Sequence, residues 1–175
     1  MLEIAYIGLG SNLDNPLLQV KSAIKELNAC KDITVNAVSN IYKSKPLKII
    51  SAEETEQPDY INAVVRINTY LSPIELLDAL QALEKKHHRV TEYHWGPRSL
   101  DLDILLYSDL ILTSERLTIP HKELTQRDFV VYPLNDIAPE LDIPMHGKLE
   151  NVLLAISKDN LVFVEKYLDV AGIIL

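Results

Sequence analysis

Tyr60-Ile61-Asn62-Ala63-Val64-Val65-Arg66-Ile67-Asn68-Thr69-Tyr70-Leu71-Ser72-Pro73-Ile74-Glu75-Leu76-Leu77-Asp78-Ala79-Leu80-Gln81-Ala82-Leu83 carries two hydrophobic periods back to back. Up to Thr69 the residues alternate. Ile61, Ala63, Val65 and Ile67 share one face of a strand, and Tyr60, Asn62 and Val64 share the other. Ser72-Pro73-Ile74-Glu75 then reads as a capping box with proline at the first helical position, where its missing N–H is not needed. Leu76, Leu77, Leu80 and Leu83 follow at helical spacing and make the buried stripe of a helix. That helix is expected to end near His88, with Lys85, Lys86 and Arg89 at the negative end of its dipole.

Upstream, Glu3 to Leu9 is a largely apolar strand stopped by the turn Gly10-Ser11-Asn12. Asn15 caps a helix that Pro16 opens, with Leu17, Val20, Ile24 and Leu27 on one face. Ile33 to Tyr42 alternates with β-type bulk and forms the next strand. From Lys43 to Pro58 there is no period, and so long a loop inside a compact domain points to function or mobility. Downstream, a strand begins near Leu100, with Leu100, Leu102, Ile104 and Leu106 on one face and Asp101 and Asp103 together on the other. The order strand, helix, strand, strand, helix, strand matches the α+β, ferredoxin-like βαββαβ core, an antiparallel sheet with helices packed on its faces. Leu110 to Thr113 and the piece ending at Ile119-Pro120 are short extended segments. Arg127 to Asn135 is a short helix interrupted by Pro133, and the tail from Leu149 is expected to cap the open sheet face. A single domain over residues 1–175 is expected, without repeat or linker.

Composition narrows the chemistry. Of 175 residues, 47% are hydrophobic and 24% charged, ordinary globular usage that excludes disordered and disulfide-scaffold classes. No apolar run approaches the roughly 18 residues that span a bilayer, and Met1-Leu2-Glu3-Ile4 lacks a basic leader, so a cytoplasmic protein is expected. The single cysteine, Cys30, fits a reducing compartment and reads as a small apolar residue near a helix end. A net charge of -8 repels polyanions, so nucleic acid is not an expected partner and a bound anion needs local arginines or a divalent cation.

Asp101 and Asp103, two apart on one strand face, stand roughly 6.6 Å apart along the chain, close enough to reach one metal or bracket two. Magnesium is usually held by one or two carboxylates together with substrate phosphates. Trp95-Gly96-Pro97-Arg98 turns a guanidinium toward the same acids, and arginine suits bidentate phosphate contact. A solvated, salt-bridged strand end would show the same residues, so spacing alone leaves both readings open. Gly8-Leu9-Gly10-Ser11-Asn12 fails as a nucleotide loop, because Leu13 occupies the third glycine position and no Gly-Lys-Ser/Thr follows. It reads instead as a tight connection that lets another backbone approach. His87, His88 and His94 lack the i, i+4 spacing of a zinc helix, and the basic run Lys85 to Arg89 is explained by the helix dipole and water. Tyr60 and Phe129 stand at loop edges where rings can sandwich a flat heterocycle, with Asn62 beside Tyr60 offering a donor and an acceptor.

Taken with Gly10-Ser11-Asn12, Tyr42-Lys43-Ser44-Lys45-Pro46-Leu47, Gln57-Pro58-Asp59-Tyr60-Ile61-Asn62-Ala63, Glu84, Ile119-Pro120-His121, Arg127-Asp128-Phe129 and Ala138-Pro139-Glu140, the segment Trp95-Gly96-Pro97-Arg98-Ser99-Leu100-Asp101-Leu102-Asp103 resembles the 6-hydroxymethyl-7,8-dihydropterin pyrophosphokinase family of folate synthesis. The likeness covers about 5–141 and leaves 142–175 as an extension expected to pack on the same domain.

The resemblance implies transfer of pyrophosphate from ATP to the pterin hydroxymethyl group, with release of AMP. It implies two magnesium ions at Asp101 and Asp103, and Arg89 and Arg98 on phosphates as catalytic groups. Gln81, Glu84, Ile104, His121 and Arg127 would lie on the ATP side. The pterin would lie between Tyr60 and Phe129, near Asn62, Ser44, Pro46, Leu47 and Trp95. Small-molecule substrates, no membrane and a monomer are the expected partners and state. The chain departs from the family where His88-Arg89-Val90-Thr91 lacks a glycine and a second arginine, at His94, and at Lys45. Lys43, Lys45 or Lys48 would restore the missing charge. On the residues alone, a nucleotidyltransferase and a weakly catalytic pterin- or nucleotide-binding module remain alternatives.

Overall fold

The computed structural model of the chain describes residues 1–46, 57–87 and 100–168. β1 (Glu3–Ser11), α1 (Pro16–Ala29), β2 (Ile33–Val38), β3 (Ile41–Ser44), β4 (Tyr60–Thr69), α2 (Pro73–His87) and β5 (Asp101–Tyr107) follow one another in the expected order, with β2 and β3 in place of one strand. The sheet runs β3-β4-β1-β5, antiparallel at every pairing, and β2 lies beside β4 on the edge that β3 also uses. This is the ferredoxin-like α+β arrangement.

Local sequence explains the elements. The Leu18 N–H donates to the Asn15 side-chain oxygen at 3.4 Å ahead of Pro16. At the second helix the Ser72 N–H donates to Glu75 Oε2 at 2.7 Å, and the Glu75 N–H donates to Ser72 Oγ at 3.3 Å, closing the capping box. Val20, Ala23, Ile24 and Leu27 of α1 and Leu76, Leu80 and Leu83 of α2 pack onto Ala5, Ile7, Ile61, Ala63, Val65 and Ile67 of the sheet. Burying each large aliphatic side chain contributes roughly 1.5–3 kcal/mol.

The other sheet face, with Tyr6, Val64, Leu105 and Leu106, packs against later elements. After β6 (Leu112–Thr113), β7 (Thr118–Ile119) and a cis Ile119–Pro120 peptide come α3 (Asp128–Ile137), β8 (Asp142–Ile143), β9 (Gly147–Lys148), α4 (Leu149–Leu154) and β10 (Leu161–Glu165). Val130, Val131 and Leu134 of α3 and Leu149 of α4 make this second core.

Several expectations are corrected. β1 does not stop at Gly10, because Gly10 pairs with Asn62 on one side and Asp101 on the other, and the ladder carries the strand to Ser11. The strand expected from Ile33 to Tyr42 breaks at Ser39 and Asn40 and resumes to Ser44, so Lys43 and Ser44 belong to a strand and not to the loop. The break arises because the Ser39 hydroxyl accepts the Val64 N–H at 2.9 Å while the Asn40 N–H turns away to Asp136 at 3.2 Å. Leu106 does not share a face with Leu102 and Ile104. Register slips between Tyr6 and Ile7, leaving Leu105 as an extra residue, and beyond that bulge Leu106 joins the second core. Pro133 does not interrupt α3, since the burial of Val130, Val131 and Leu134 outweighs the one backbone bond a proline removes. The tail covers the second face through Leu149, Val152, Leu153 and Ile156, but β10 pairs with β3 and lengthens the sheet. Cys30 ends α1, half-buried, with its thiol on the Glu26 carbonyl at 3.3 Å. At the end of α2, Lys86 reaches Glu26 at 2.8 Å, and the His87 ring lies between Gln19 and Glu26, so this part of the basic run joins two helices instead of facing water.

Candidate active site

The sheet face that α3 covers is open at one end, and the opening is a cavity of about 290 Å³. Its floor follows from the ladder. Gly8 stands opposite Asp103 and Val64, and Gly10 stands opposite Asp101 and Asn62. Directly paired residues point to the same face, so two missing side chains on β1 leave a trough between the aspartates of β5 and the polar residues of β4. A Cβ at Gly10 would lie 3.5 Å from Asn62 Oδ1 and 3.9 Å from the Tyr60 ring. A Cβ at Gly8 would lie 3.4 Å from Leu105, the bulge residue.

One wall comes from Tyr60 and Asn62 of β4, with Ser44 of β3 and Lys45 and Pro46 after it. The Asn62 amide donates to Ser44 Oγ at 2.7 Å with both residues buried, which fixes the amide and leaves its oxygen above Gly10. The facing wall is Phe129 and Val130 in the first turn of α3, preceded by Arg127. The Arg127 guanidinium pairs with Glu123 and lies 5.6 Å from the Phe129 ring centroid, a geometry that holds both side chains against the opening.

Asp101 and Asp103 line the cavity beside these groups. Their position is secured from behind, where the Leu102 N–H between them donates to Glu84 of α2 at 2.8 Å. His121 is fixed by its own N–H, which donates to the Leu105 carbonyl at 2.9 Å. Its Nδ1 accepts the Glu123 N–H at 3.2 Å, so the neutral ring carries its proton on Nε2. Burial pushes its pKa below the usual histidine value, against the opposing pull of the Asp103 charge. The ring is therefore neutral at pH 7.

Of the residues singled out in the sequence, Ser44, Pro46, Tyr60, Asn62, Asp101, Asp103, Arg127 and Phe129 converge on this cavity. Gln81 and Glu84 do not line it. Glu84 braces β5, and Gln81 meets Arg116 at 3.4 Å. The Ile104 side chain is 2% exposed and lies in the core on the opposite face, away from the cavity. Leu47, Arg89, Trp95, Arg98 and Lys48 lie outside the described residues. Lys45 lines the cavity, and Lys43 stands 3.9 Å from Asp59. Sequence reasoning missed Gly8 and Gly10 as lining residues, and with them Leu9, Gln57, Ala63, Leu105 and Val130. The pairing of two glycines with two aspartates was the available signal, hidden by the expectation of a turn at Gly10.

Architecture and cavity together define a ferredoxin-like protein with an acid pair and an aromatic wall in one cleft. Residues 6–139 match the model of the 7,8-dihydro-6-hydroxymethylpterin-pyrophosphokinase (HPPK) family, and the chain belongs to that family. It is 48% identical over 140 residues to the 2-amino-4-hydroxy-6-hydroxymethyldihydropteridine pyrophosphokinase of Haemophilus influenzae, covering 80% of this chain and 84% of that one. It is 41% identical over 155 residues to the protein of the same name from Pseudomonas aeruginosa, covering 89% and 93%. Among solved structures, a Plasmodium falciparum HPPK-DHPS triple mutant with SDX-DHP superposes with a TM-score of 0.73 at 14% identity, over 96% of this chain and 46% of the other. The chain thus spans about half of that longer protein, and the likeness there is one of fold.

Proposed function

We propose that the chain transfers the β,γ-pyrophosphoryl group of ATP to the hydroxymethyl oxygen of 6-hydroxymethyl-7,8-dihydropterin in folate synthesis. One observation carries the reading. In a chain of the HPPK family, the acid pair Asp101 and Asp103 opens into the same cavity as Tyr60, Asn62 and Phe129. The pterin ring would lie between the two aromatic residues, and the Asn62 amide, held by Ser44, would read its polar edge.

The acid pair suits a divalent ion shared with phosphates. Among the described residues no three His, Cys, Asp or Glu side chains converge, so two carboxylates would leave the remaining positions to phosphate oxygens and water, as magnesium prefers. Bound there, magnesium would supply the positive charge that lets an acidic protein accept a triphosphate and stabilises charge on the transferring group. Arg127, which lines the same cavity and is held by Glu123, would turn its remaining N–H donors to phosphate oxygens, and neutral His121 would offer its Nε2–H as a donor toward the nucleotide. Substrates seated between the walls would displace water, which competes with the alcohol as acceptor. The alcohol oxygen bonds to the β-phosphorus, the bond from that phosphorus to the α,β-bridging oxygen breaks, AMP leaves and the hydroxyl proton passes to solvent or buffer. We further propose that the chain acts as one catalytic domain, as a cytoplasmic monomer, with 142–168 packed on it and 169–175 outside the described residues.

The test is product analysis after incubation with ATP and magnesium, with and without the pterin alcohol. AMP formed only with the pterin supports the reading. Free pyrophosphate would make the chain a nucleotidyltransferase, and pterin binding without turnover would make it a binding module.

A further inference from the structure

The two walls of the cavity belong to different layers, one to the sheet and one to α3, so something must fix the gap between them. Apolar packing of Val131 and Leu134 on Val64 brings the layers together but is non-directional and tolerates sliding. A polar link does have a direction. Asp136 Oδ2 accepts the Asn40 N–H at 3.2 Å and the Tyr42 hydroxyl at 2.7 Å, one donor from the break between β2 and β3 and one from β3 itself.

We propose that Asp136 and Tyr42 are positioning residues that set the separation of the cavity walls and thereby the affinity for the flat heterocycle. The proposal rests on the reading of the cavity as the pterin site. Asp136 lies seven residues after Phe129, two turns along the same helix face and about 10.5 Å away at the helical rise. Fixing one fixes the angle and height of the other. On the sheet, Tyr42 is paired across the ladder with Asn62, and Ser44, two residues further, holds the Asn62 amide. The link therefore joins the helix that carries the ring to the patch of sheet that carries the amide.

The surroundings suit a rigid strut. Tyr42 is 3% exposed, and Phe163 of β10 meets its ring edge-on at 6.3 Å, so the phenol has little room to swing. Burial, then the bond to Asp136, pushes the Tyr42 pKa up to about 12, which keeps the hydroxyl a donor through the neutral range. Another side chain of α3 provides a comparison. Tyr132 donates to the Ile156 carbonyl at 2.7 Å, a link of similar length that runs to the tail and not to the sheet.

The experiment uses the full chain and measures equilibrium pterin binding by fluorescence, the two KM values and kcat. Asp136→Ala is expected to weaken pterin binding and raise the pterin KM on the order of tenfold, with kcat at saturation and the ATP KM unmoved. Tyr42→Phe, which removes one of two donors, gives a smaller rise in the same parameter. Asp136→Asn keeps an acceptor in place and recovers most of the affinity, and Tyr132→Phe leaves pterin binding at the wild-type level. Should Asp136→Ala fail to fold, Tyr42→Phe decides alone. The proposal is overturned if Tyr42→Phe and Asp136→Ala bind pterin like wild type, if Tyr132→Phe weakens it equally, or if the ATP KM rises in parallel. A wild-type chain that binds pterin but releases no AMP speaks against the pyrophosphoryl reading and leaves the strut standing. One that binds no pterin overturns both.

Discussion

At the scale of single residues, the site depends on which positions carry a side chain and which do not. Asp101→Asn and Asp103→Asn each remove one anionic ligand while keeping the shape of the strand. Turnover is expected to fall on the order of 100-fold or more with pterin binding in the absence of nucleotide unchanged, measured by steady-state kinetics beside fluorescence titration. Parallel loss of pterin affinity would argue that the acids serve the cavity's shape and not the phosphates. Gly10→Ala tests the floor from the opposite direction. The new methyl meets Asn62 Oδ1 at 3.5 Å, an ordinary contact, so the urea midpoint should barely move while the pterin KM rises several-fold. An unchanged KM would place the heterocycle elsewhere. Asp101, Asp103, Tyr60 and Asn62 were legible because alternation holds along β4 and along β5 ahead of its bulge. Gly8 and Gly10 were not, since a glycine pair after an apolar run looks the same in a turn as in a trough. The link from Asp136 to Tyr42 leaves no local trace at all, the partners being 94 positions apart.

At the scale of elements, the two helices of the βαββαβ unit announce themselves through their caps. Ser72→Ala opens one half of the capping box and should cost roughly 1 kcal/mol in urea unfolding with no change in either KM. A change in KM of the same variant would mean that α2 senses the cavity through Glu84 and the β5 backbone. The elements that sequence missed were hidden for separate physical reasons. The β5 bulge falls at Leu105 and Leu106, two apolar residues in a row, where the alternation that reports a face gives no contrast. The break between β2 and β3 depends on a serine hydroxyl substituting for a backbone partner, which is a tertiary event. β10 pairs with β3 across more than a hundred residues, and its Val162, Phe163 and Val164 stay partly exposed, so neither spacing nor burial pattern pointed to an edge strand.

At the scale of the whole molecule, the same link couples stability to pH. Burial raises the Asp136 pKa above its ordinary 3.8, against the bonds from Tyr42 and Asn40 and the charge of Lys158, which lower it. Between the unfolded value and the raised folded value, the native state holds more proton at this group than the unfolded state does. This contribution to stability is complete below the unfolded pKa and is lost as pH rises through the folded one. Asp136→Asn cannot titrate, so its stability relative to wild type should improve as pH is raised from 4 to 7, read from urea midpoints at each pH. A constant difference across that range would contradict the assignment. For the molecule as an enzyme, the most direct measurement is a crystal structure with a non-hydrolysable ATP analogue, magnesium and the pterin alcohol. The account predicts ions on the Asp101 and Asp103 carboxylates, the pterin between Tyr60 and Phe129, and its alcohol oxygen facing the β-phosphorus. Carboxylates without an ion, or a pterin bound outside the cavity, would contradict it.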